Sequence, residues 1–543
     1  MNAPAARHLA GTVALARRDL RQDRAGLGAW ALGLSGFTAL VTTMSAAMTP
    51  RELLEETEFM AGSPGLRLTG LPLGASAGSY TMVRAYLTLA VLAAIMNIQV
   101  VVRNTRRSEE EGITELLTSC PVGRHAPAAA ALLLALCSDL ALTPLIALAM
   151  TAAGQPVAGS LTAAAAIISV GLVFAGLAAV TAQLAATARG ALALAGSALA
   201  LAVLACGLGN LAGRVRADGV RVDSAWPAWL SPLGWGQQTR PFDGENPWPL
   251  ALSGACFLAC TGAAALMLAR RDLGSGLLSH RPGRSRAPRY LHGPLGLALR
   301  LHRGTIAGWA VATSAFGAVL GAAAEQIDDL SGSSLEWYTR LAGTQDVHAA
   351  FQSSMVQMAG MLVTVHTVQL LLRLRGEEAS GHLENVLTAA VGRSRWVLGH
   401  LLVACASAAG LLVAFALTLG VVGGGGRGDA TGWTAALLPA CLAQLPSCLL
   451  VGAAVTALVA LVPRRAAAVS WTGLPVLLLI GPLFGPDLGL PAAVRDLSPF
   501  THLPQAPAAP IEAVPLLGLL AAGAVLTALA LAALRRRDLL AAG

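Results

Sequence analysis

Carboxylates set among arginines stand out in two short stretches of an otherwise apolar chain. The first is Arg106-Arg107-Ser108-Glu109-Glu110-Glu111-Gly112-Ile113-Thr114-Glu115-Leu116-Leu117, and the second is Arg375-Gly376-Glu377-Glu378-Ala379-Ser380-Gly381-His382-Leu383-Glu384. Slid by 269 positions, Arg106, Glu109, Gly112, Glu115 and Val122-Gly123-Arg124 fall on Arg375, Glu378, Gly381, Glu384 and Val391-Gly392-Arg393. Neither stretch sets a nucleophile beside a base or shows metal-ligand spacing, so what it offers is charge for docking. Ser108-x-x-Glu111 reads as a capping box that opens a helix, and Pro121 stops it. Glu111 and Glu115, four apart, share one edge of that helix, while Ile113, Leu116, Leu117 and Cys120 share the opposite face. A carboxylate-edged amphipathic helix flanked by Arg103, Arg106, Arg107 and Arg124 suits a groove on a partner. In the second copy Asn385 stands at the place of Leu116, and Leu383, Val386 and Leu387 fall on a rotated face, so the copies are expected to dock differently. A solvated loop that only fixes topology is the plainer reading, and two matched copies argue against it.

The elements that must position these stretches are membrane spans. Of the 543 residues 55 % are hydrophobic and 12 % charged, with mean hydropathy +0.64. Soluble domains carry about a quarter charged residues, so a soluble globule is excluded. Apolar runs long enough for a bilayer recur throughout. They predict helices at about 27–48, 82–102, 126–152, 160–187, 190–212 and 248–269, then about 305–325, 351–372, 396–422, 434–462, 466–485 and 513–534. Residues 5–24 read as a separate amphipathic helix lying on the membrane surface, with Leu9, Val13, Ala16 and Leu20 on one stripe. The fold class is therefore an all-α polytopic membrane protein of about 12 transmembrane helices.

Further markers repeat between the halves. Arg24…Trp30 matches Arg303…Trp309, Ser231-Pro232 matches Ser498-Pro499, and Arg271-Asp272-Leu273 matches Arg537-Asp538-Leu539. The chain reads as two tandem six-helix repeats of the same orientation, related by an axis along the membrane normal. The domains predicted are 1–273, the first half with its amphipathic connecting helix, then 274–303, a linker with a second connecting helix, and 304–543, the second half. Positively charged segments mark the inner side. All 37 basic residues are Arg, and they place both termini and both acidic stretches in the cytoplasm of a multi-pass cell (inner) membrane protein. The basic run Arg281 to Arg289 is expected to mark orientation and grip anionic lipid rather than nucleic acid. The segments Trp226–Trp235 and Leu497–Pro504, rich in Pro and aromatics, suit short re-entrant or surface helices.

No Lys is present, so no P-loop can be formed, because its Lys must reach the nucleotide phosphates. ATP hydrolysis by that route would belong to another polypeptide, and this chain is expected to be no enzyme. The 8 Cys, without a C-x-x-C pair or nearby His, read as buried thiols, with no metal site. Polar residues inside spans invite functional suspicion. Asp139 lies mid-span with Ala408 at the matching place, His366 matches Asn97, and Gln99 and Gln369 are near. Asn97, Asp139, His366 and Gln369 could line a substrate pathway, although helix-to-helix hydrogen bonding explains Asn97, Gln99 and Gln369 as well.

The run Arg-x-x-Glu-Glu-x-Gly-x-x-Glu-Leu-Leu, followed by Pro-Val-Gly-Arg after the second span, resembles the coupling-helix loop of ABC-2 type transporter permeases. The fused two-half form with Ser-Pro-Phe-Thr-His near its end is similar to the 12-helix polyketide-antibiotic exporter permeases of actinobacteria. The resemblance spans nearly the whole chain and implies an ATPase-coupling role for Glu109, Glu110, Gly112, Glu115 and Arg124, and for Glu377, Glu378, Gly381, Glu384 and Arg393. The second copy departs from the pattern at Asn385 and lacks the Pro before Val-Gly-Arg. Implied partners are two copies of a separate P-loop ATPase, which carry the ATP and Mg. This chain itself would hold no cofactor. The implied function is efflux of a lipophilic, antibiotic-like or drug-like molecule. The rival reading is an ion-coupled secondary transporter of the major-facilitator type, also with two parallel halves. It calls for a basic loop after the second span and several buried charges, whereas this loop is acidic and Asp139 is nearly alone.

Overall fold

A computed structural model describes residues 8–62, 64–68, 70–272, 274–278, 291, 293–324, 346–389, 391–483 and 491–537. It is 80 % helical, and the chain divides into two compact units, Met1–Gly283 and Arg284–Gly543. In the first unit the helices are α1 (Thr12–Ala46), α2 (Ala77–Val102), a short α3 (Ile113–Thr118), α4 (Ala126–Ala152), α5 (Val157–Leu184), α6 (Ala188–Leu211) and α7 (Trp248–Arg270). In the second they are α8 (Pro294–Ala323), α9 (Val347–Leu371), a short α10 (His382–Thr388), α11 (Arg393–Gly425), α12 (Ala430–Leu442), α13 (Leu445–Leu461), α14 (Ala466–Leu478) and α15 (Ala513–Arg536).

Eleven of the described helical segments are long and apolar enough to cross a membrane, α12 and α13 together making one of them. A helix satisfies its own backbone groups, which hydrocarbon cannot do. Where chain ends enter a helix, side chains cap the orphan N–H groups: Ser76 accepts from Ser79 for α2, Thr187 from Gly190 for α6, and Asp346 from His348 and Ala349 for α9.

Two expectations need correction. The surface helix at 5–24 is not separate, because α1 runs unbroken from Thr12 into the first span. Its polar half is retained by partners: the buried Asp23 pairs with Arg103 and accepts from Asn104 at 2.9 Å. The expected span at 466–485 is, among the described residues, an apolar helix too short to be counted, at Ala466–Gly481. Pro475 lies inside it, its last turn widens into a π-turn, and Gly481 leaves helical geometry. Residues 484 and 485, like the basic run Arg281 to Arg289 and Leu273, Asp538 and Leu539, lie outside the described residues. The thiols are also mixed: Cys206, Cys441 and Cys448 are buried, whereas Cys120 and Cys137 are exposed.

Packing in the two units follows one pattern. In the first, α5 lies at the centre against α2 and α7, while α1 pairs with α4. In the second, α13 packs on α9 and α15, while α8 pairs with α11. Ala and Gly line α5 (Gly159, Ala163, Ala166, Gly171 and Gly176 are all buried), which lets its neighbours approach closely. The segment after α6 holds a 3₁₀ turn at Trp226–Leu230 and a short helix Pro232–Gln237. Ser231 donates to Ala202 O at 2.7 Å and Tyr86 to Leu233 O at 2.7 Å, so this segment is seated between α2 and α6. A second 3₁₀ turn, Pro499–His502, occupies the matching place before α15.

Between α6 and that segment, β1 (Arg214–Val215) and β2 (Val222–Asp223) form a small antiparallel hairpin at the end opposite α3. Arg216 pairs with Asp223 at 2.6 Å, and Arg221 with Asp218 at 2.7 Å and Asp243 at 2.5 Å. Hydrogen bonds from Arg216 and Arg221 hold the Asp223 and Asp218 carboxyls below their ordinary range. A depressed carboxyl contributes stability above its unfolded pKa, near about 4, and loses it as pH falls through the lower folded value. Amide exchange in 214–223 is therefore expected to be unchanged, after correction for intrinsic rate, from pH 7 to about pH 4 and faster below it. These are exposed pairs, so the gain in local opening is small.

Candidate coupling sites at two loop helices

At its far end α2 passes into a π-turn at Arg103–Arg107, then a last helical turn at Ser108–Glu110. A π-turn packs an extra residue into the helix, and here Arg106 becomes one of the largest fully buried side chains. The Ser108-x-x-Glu111 pattern therefore does not begin a helix: Ser108 Oγ donates back to Arg103 O at 3.1 Å, and Glu111 pairs with Arg107 at 2.8 Å on the exposed side. The break comes at Gly112, whose φ of 72° is left-handed, and α3 starts immediately after it. Gly381 repeats this before α10, with φ 73°.

Nothing lies within 4 Å of a Cβ built on either glycine, so only the backbone demands glycine there. An L-residue in that region costs about 1–2 kcal/mol, and Asn less. Gly112→Ala and Gly381→Ala are thus each expected to speed protease cleavage of the loop helix by up to about tenfold, with Asn milder. Equal cleavage of wild type, Ala and Asn forms would contradict this.

The carboxylates of the first stretch divide by role. Glu109 is turned inward: Arg106 Nη1 donates to its Oε2 at 2.5 Å, and Arg271 donates to Oε1 and Oε2 at 2.5 and 2.9 Å. Two guanidiniums on one carboxylate leave donors to satisfy, and uncharged acceptors take them. Gln183 Oε1 accepts from Arg271 at 2.9 Å, and Ser275 O accepts from Arg106 at 2.7 Å and from Arg271 at 2.5 Å. Glu110 accepts from the Ala188 N–H at 3.0 Å, in the first turn of α6. Arg124 donates to Arg271 O at 2.5 Å. Backbone bonds from Gly123 to Ala10 O (2.9 Å) and from His125 to His8 O (3.1 Å) join the loop to the start of α1. A cavity of about 340 Å³ lies behind α3, lined among others by Thr105, Glu109, Thr114, Arg124, Gln183 and Asp272.

The second stretch follows the same plan with different secondary partners. Glu378 is buried and accepts from Arg537 Nη2 on both oxygens at 2.7 Å. Arg393 donates to Arg537 O at 2.5 Å and to Leu534 O at 2.9 Å. Arg375 does not reach the carboxylate and donates to Pro463 O at 2.8 Å instead. Glu377 accepts from Arg373 at 3.1 Å, and Arg373 also donates to Leu301 O at 3.1 Å.

What remains facing outward differs from the sequence reading. In α3 Thr114 is buried, Leu117 packs against Leu15, Ala16, Ala126 and Ala130, and Leu116 is 73 % exposed beside Glu115. The expected apolar face thus splits, with Leu117 inward and Leu116 and Cys120 outward. In α10 the buried residue is Leu383, which aligns with Thr114, and Glu384 and Asn385 face outward where Glu115 and Leu116 do. The two helices are in the same register and not rotated. They differ in the chemistry of one outward residue, Leu116 against Asn385.

The intramembrane polar residues pair within each unit. Asn97 Nδ2 donates to Asp139 Oδ1 at 2.9 Å, bridging α2 and α4. His366 Nε2 and Ser407 Oγ lie 3.0 Å apart, bridging α9 and α11, and Ser407 precedes the Ala408 that aligns with Asp139. Each unit therefore carries one polar bridge at the corresponding helix pair. Gln369, exposed like Gln99, accepts from Trp309 Nε1 at 2.8 Å. Sequence reasoning missed Arg271, Arg537 and Gln183 as site residues. The signal for the two arginines was the repeated Arg-Asp-Leu after the last span of each half, which registered only as a repeat marker, and nothing in the sequence marked Gln183.

A largely helical chain with eleven candidate spans among its described residues, and the same loop device in each unit, is an all-α polytopic membrane protein. The description "Multidrug efflux system permease Rv1217c, C-terminal domain" matches residues 291–535. Over 541 residues the chain is 35 % identical to the multidrug efflux system permease protein Rv1217c of Mycobacterium tuberculosis (strain ATCC 25618 / H37Rv), covering 97 % of this chain and 95 % of that one. The chain belongs to this family of multidrug efflux system permeases.

Proposed function

We propose that this permease is the membrane subunit of an ATP-driven exporter that moves a lipophilic small molecule, antibiotic-like or drug-like, out of the cell. Two copies of a separate P-loop ATPase dock under α3 and α10 and carry the ATP and Mg, and this chain holds no cofactor and hydrolyses nothing. Both termini and both loop helices lie in the cytoplasm. The observation that carries the reading is the repetition of one device: a helix set off by a left-handed glycine, anchored by an inward-turned carboxylate on an arginine, with a second carboxylate facing outward. Closure of the ATPase pair displaces both helices, and the two halves exchange inward for outward access. Glu109, Glu110, Gly112 and Arg124, with Glu377, Glu378, Gly381 and Arg393, hold the helices in place, while Glu115 and Glu384 face the partner. Asn97, Asp139, His366 and Gln369 serve helix-to-helix bonding, and a role in the substrate pathway is open only to those that the moving spans uncover.

The name of the similar protein supplies the efflux direction and substrate breadth. The energy source is what needs testing. In cells expressing the permease with its ATPase, efflux of a lipophilic dye should stop on ATP depletion. It should persist when a protonophore collapses the proton gradient while ATP is maintained. The opposite pattern would identify an ion-coupled transporter and overturn the reading.

A further inference from the structure

The Arg-Asp-Leu repeat has a physical consequence that docking alone does not use. Arg271 directly follows α7, and Arg537 directly follows α15, the last span of each unit. Each is gripped at two points by the loop that carries the docking helix. Before the helix, Glu109 accepts from Arg271 at 2.5 Å and Glu378 accepts from Arg537 at 2.7 Å. After the helix, Arg124 donates to Arg271 O and Arg393 to Arg537 O, both at 2.5 Å. One attachment point would leave the loop free to pivot, whereas two on opposite flanks of a short helix fix its direction as well as its position. The left-handed glycines stand between the carboxylate and the helix, where a push would otherwise be absorbed as local bending. Arg106 and Gln183 add to the first latch, while Arg375, which aligns with Arg106, turns to Pro463 O, so the shared part is the carboxylate, the arginine after the last span and the arginine after the helix.

We infer that Arg271 and Arg537 are positioning residues that carry the displacement of each docking helix to the last span of its half. A carboxylate–guanidinium pair largely shielded from water suits this because it resists separation: in each latch at least one of the parted charges stays in a site that solvates it poorly. Arg271 grips Glu109 with both Nη atoms, a fork that a lysine would not supply, whereas Arg537 meets both oxygens of Glu378 through Nη2 alone. The inference rests on the docking reading above and assigns the route by which docking becomes movement.

The test uses the full permease with its ATPase, reconstituted in lipid vesicles, and the second latch. Glu378→Arg and Arg537→Glu should each leave the ATPase bound and hydrolysing ATP while dye efflux falls by about tenfold or more, the size of an ordinary coupling free energy. The exchange Glu378→Arg with Arg537→Glu should restore at least about half of the lost efflux, since neighbours that act as a pair are non-additive. Arg537→Lys, which keeps the charge and can replace the one nitrogen that meets Glu378, should retain most of the efflux. If a single reversal fails to insert, the exchange must still insert and transport. Full efflux in the single variants, or a well-folded exchange variant without recovery, would overturn the latch and leave the docking reading standing. Loss of bound ATPase in the single variants would place the pair in the docking surface instead. A wild-type permease that binds no ATPase would remove the docking reading, and the latch as a coupling device with it.

Discussion

Replacing Glu115 and Glu384 together by Arg is expected to release the ATPase from the purified permease and abolish efflux, while the variant still inserts and elutes as wild type. Both residues face outward from short helices that turn Thr114 and Leu383 inward, so a reversal there buries no new charge. Surface changes of this kind usually shift stability by no more than about 0.5 kcal/mol. At an interface the same reversal sets like charge against whatever the carboxylate met, which costs several kcal/mol. Two such sites together weaken association by about 3 kcal/mol or more, roughly a hundredfold. The single variants separate the two sockets. Leu116 gives α3 an exposed apolar residue that α10 replaces by Asn385, so Glu384→Arg should weaken binding more at its own site than Glu115→Arg does. Quantitative co-purification measures both, and unchanged association in the double variant would remove α3 and α10 as docking elements.

The second large effect is on stability. Glu109→Ala takes the carboxylate from between Arg106 and Arg271, whose side chains are each only 1 % exposed. Removing one partner of a buried pair leaves charge without compensation and costs about 3–5 kcal/mol. The loss is expected as a clearly lower unfolding temperature of the detergent-solubilised protein and as reduced amounts in the membrane. Glu111→Ala is the internal comparison. Its pair with Arg107 is half in solvent, and exposed pairs are worth about 0–1 kcal/mol, so that variant should match wild type. Equal effects of the two substitutions would mean that burial does not distinguish them.

Much of this fold could be read before any coordinates. Long apolar runs place the spans, because bilayer thickness dictates their length, and matched arginines, glutamates and glycines announce the duplication. What stayed hidden was set by contacts across long separations. Ser108 and Glu111 have the spacing of a helix start, yet the helix arriving from α2 has not ended, and tertiary context overrides the local signal. Periodicity put Leu116 with Leu117 on one face, which cannot say which of two adjacent residues a neighbouring span will cover. Glu109 and Arg271 are 162 positions apart, and nothing local in either predicts that they meet. Asn97 and Asp139 looked like pathway residues one at a time. Together they are a bridge between α2 and α4, and the pair His366 and Ser407 shows that the second half keeps the bridge while changing both residues.

In the proposed exporter the outward edges of α3 and α10 touch an ATPase. A photo-reactive amino acid placed at Leu116, and separately at Asn385, tests it directly in whole cells. Illumination should join each position to the P-loop ATPase, and the same probe at the buried Thr114 and Leu383 should not. Adducts at the buried positions alone, or none to an ATPase from either outward position, would contradict it.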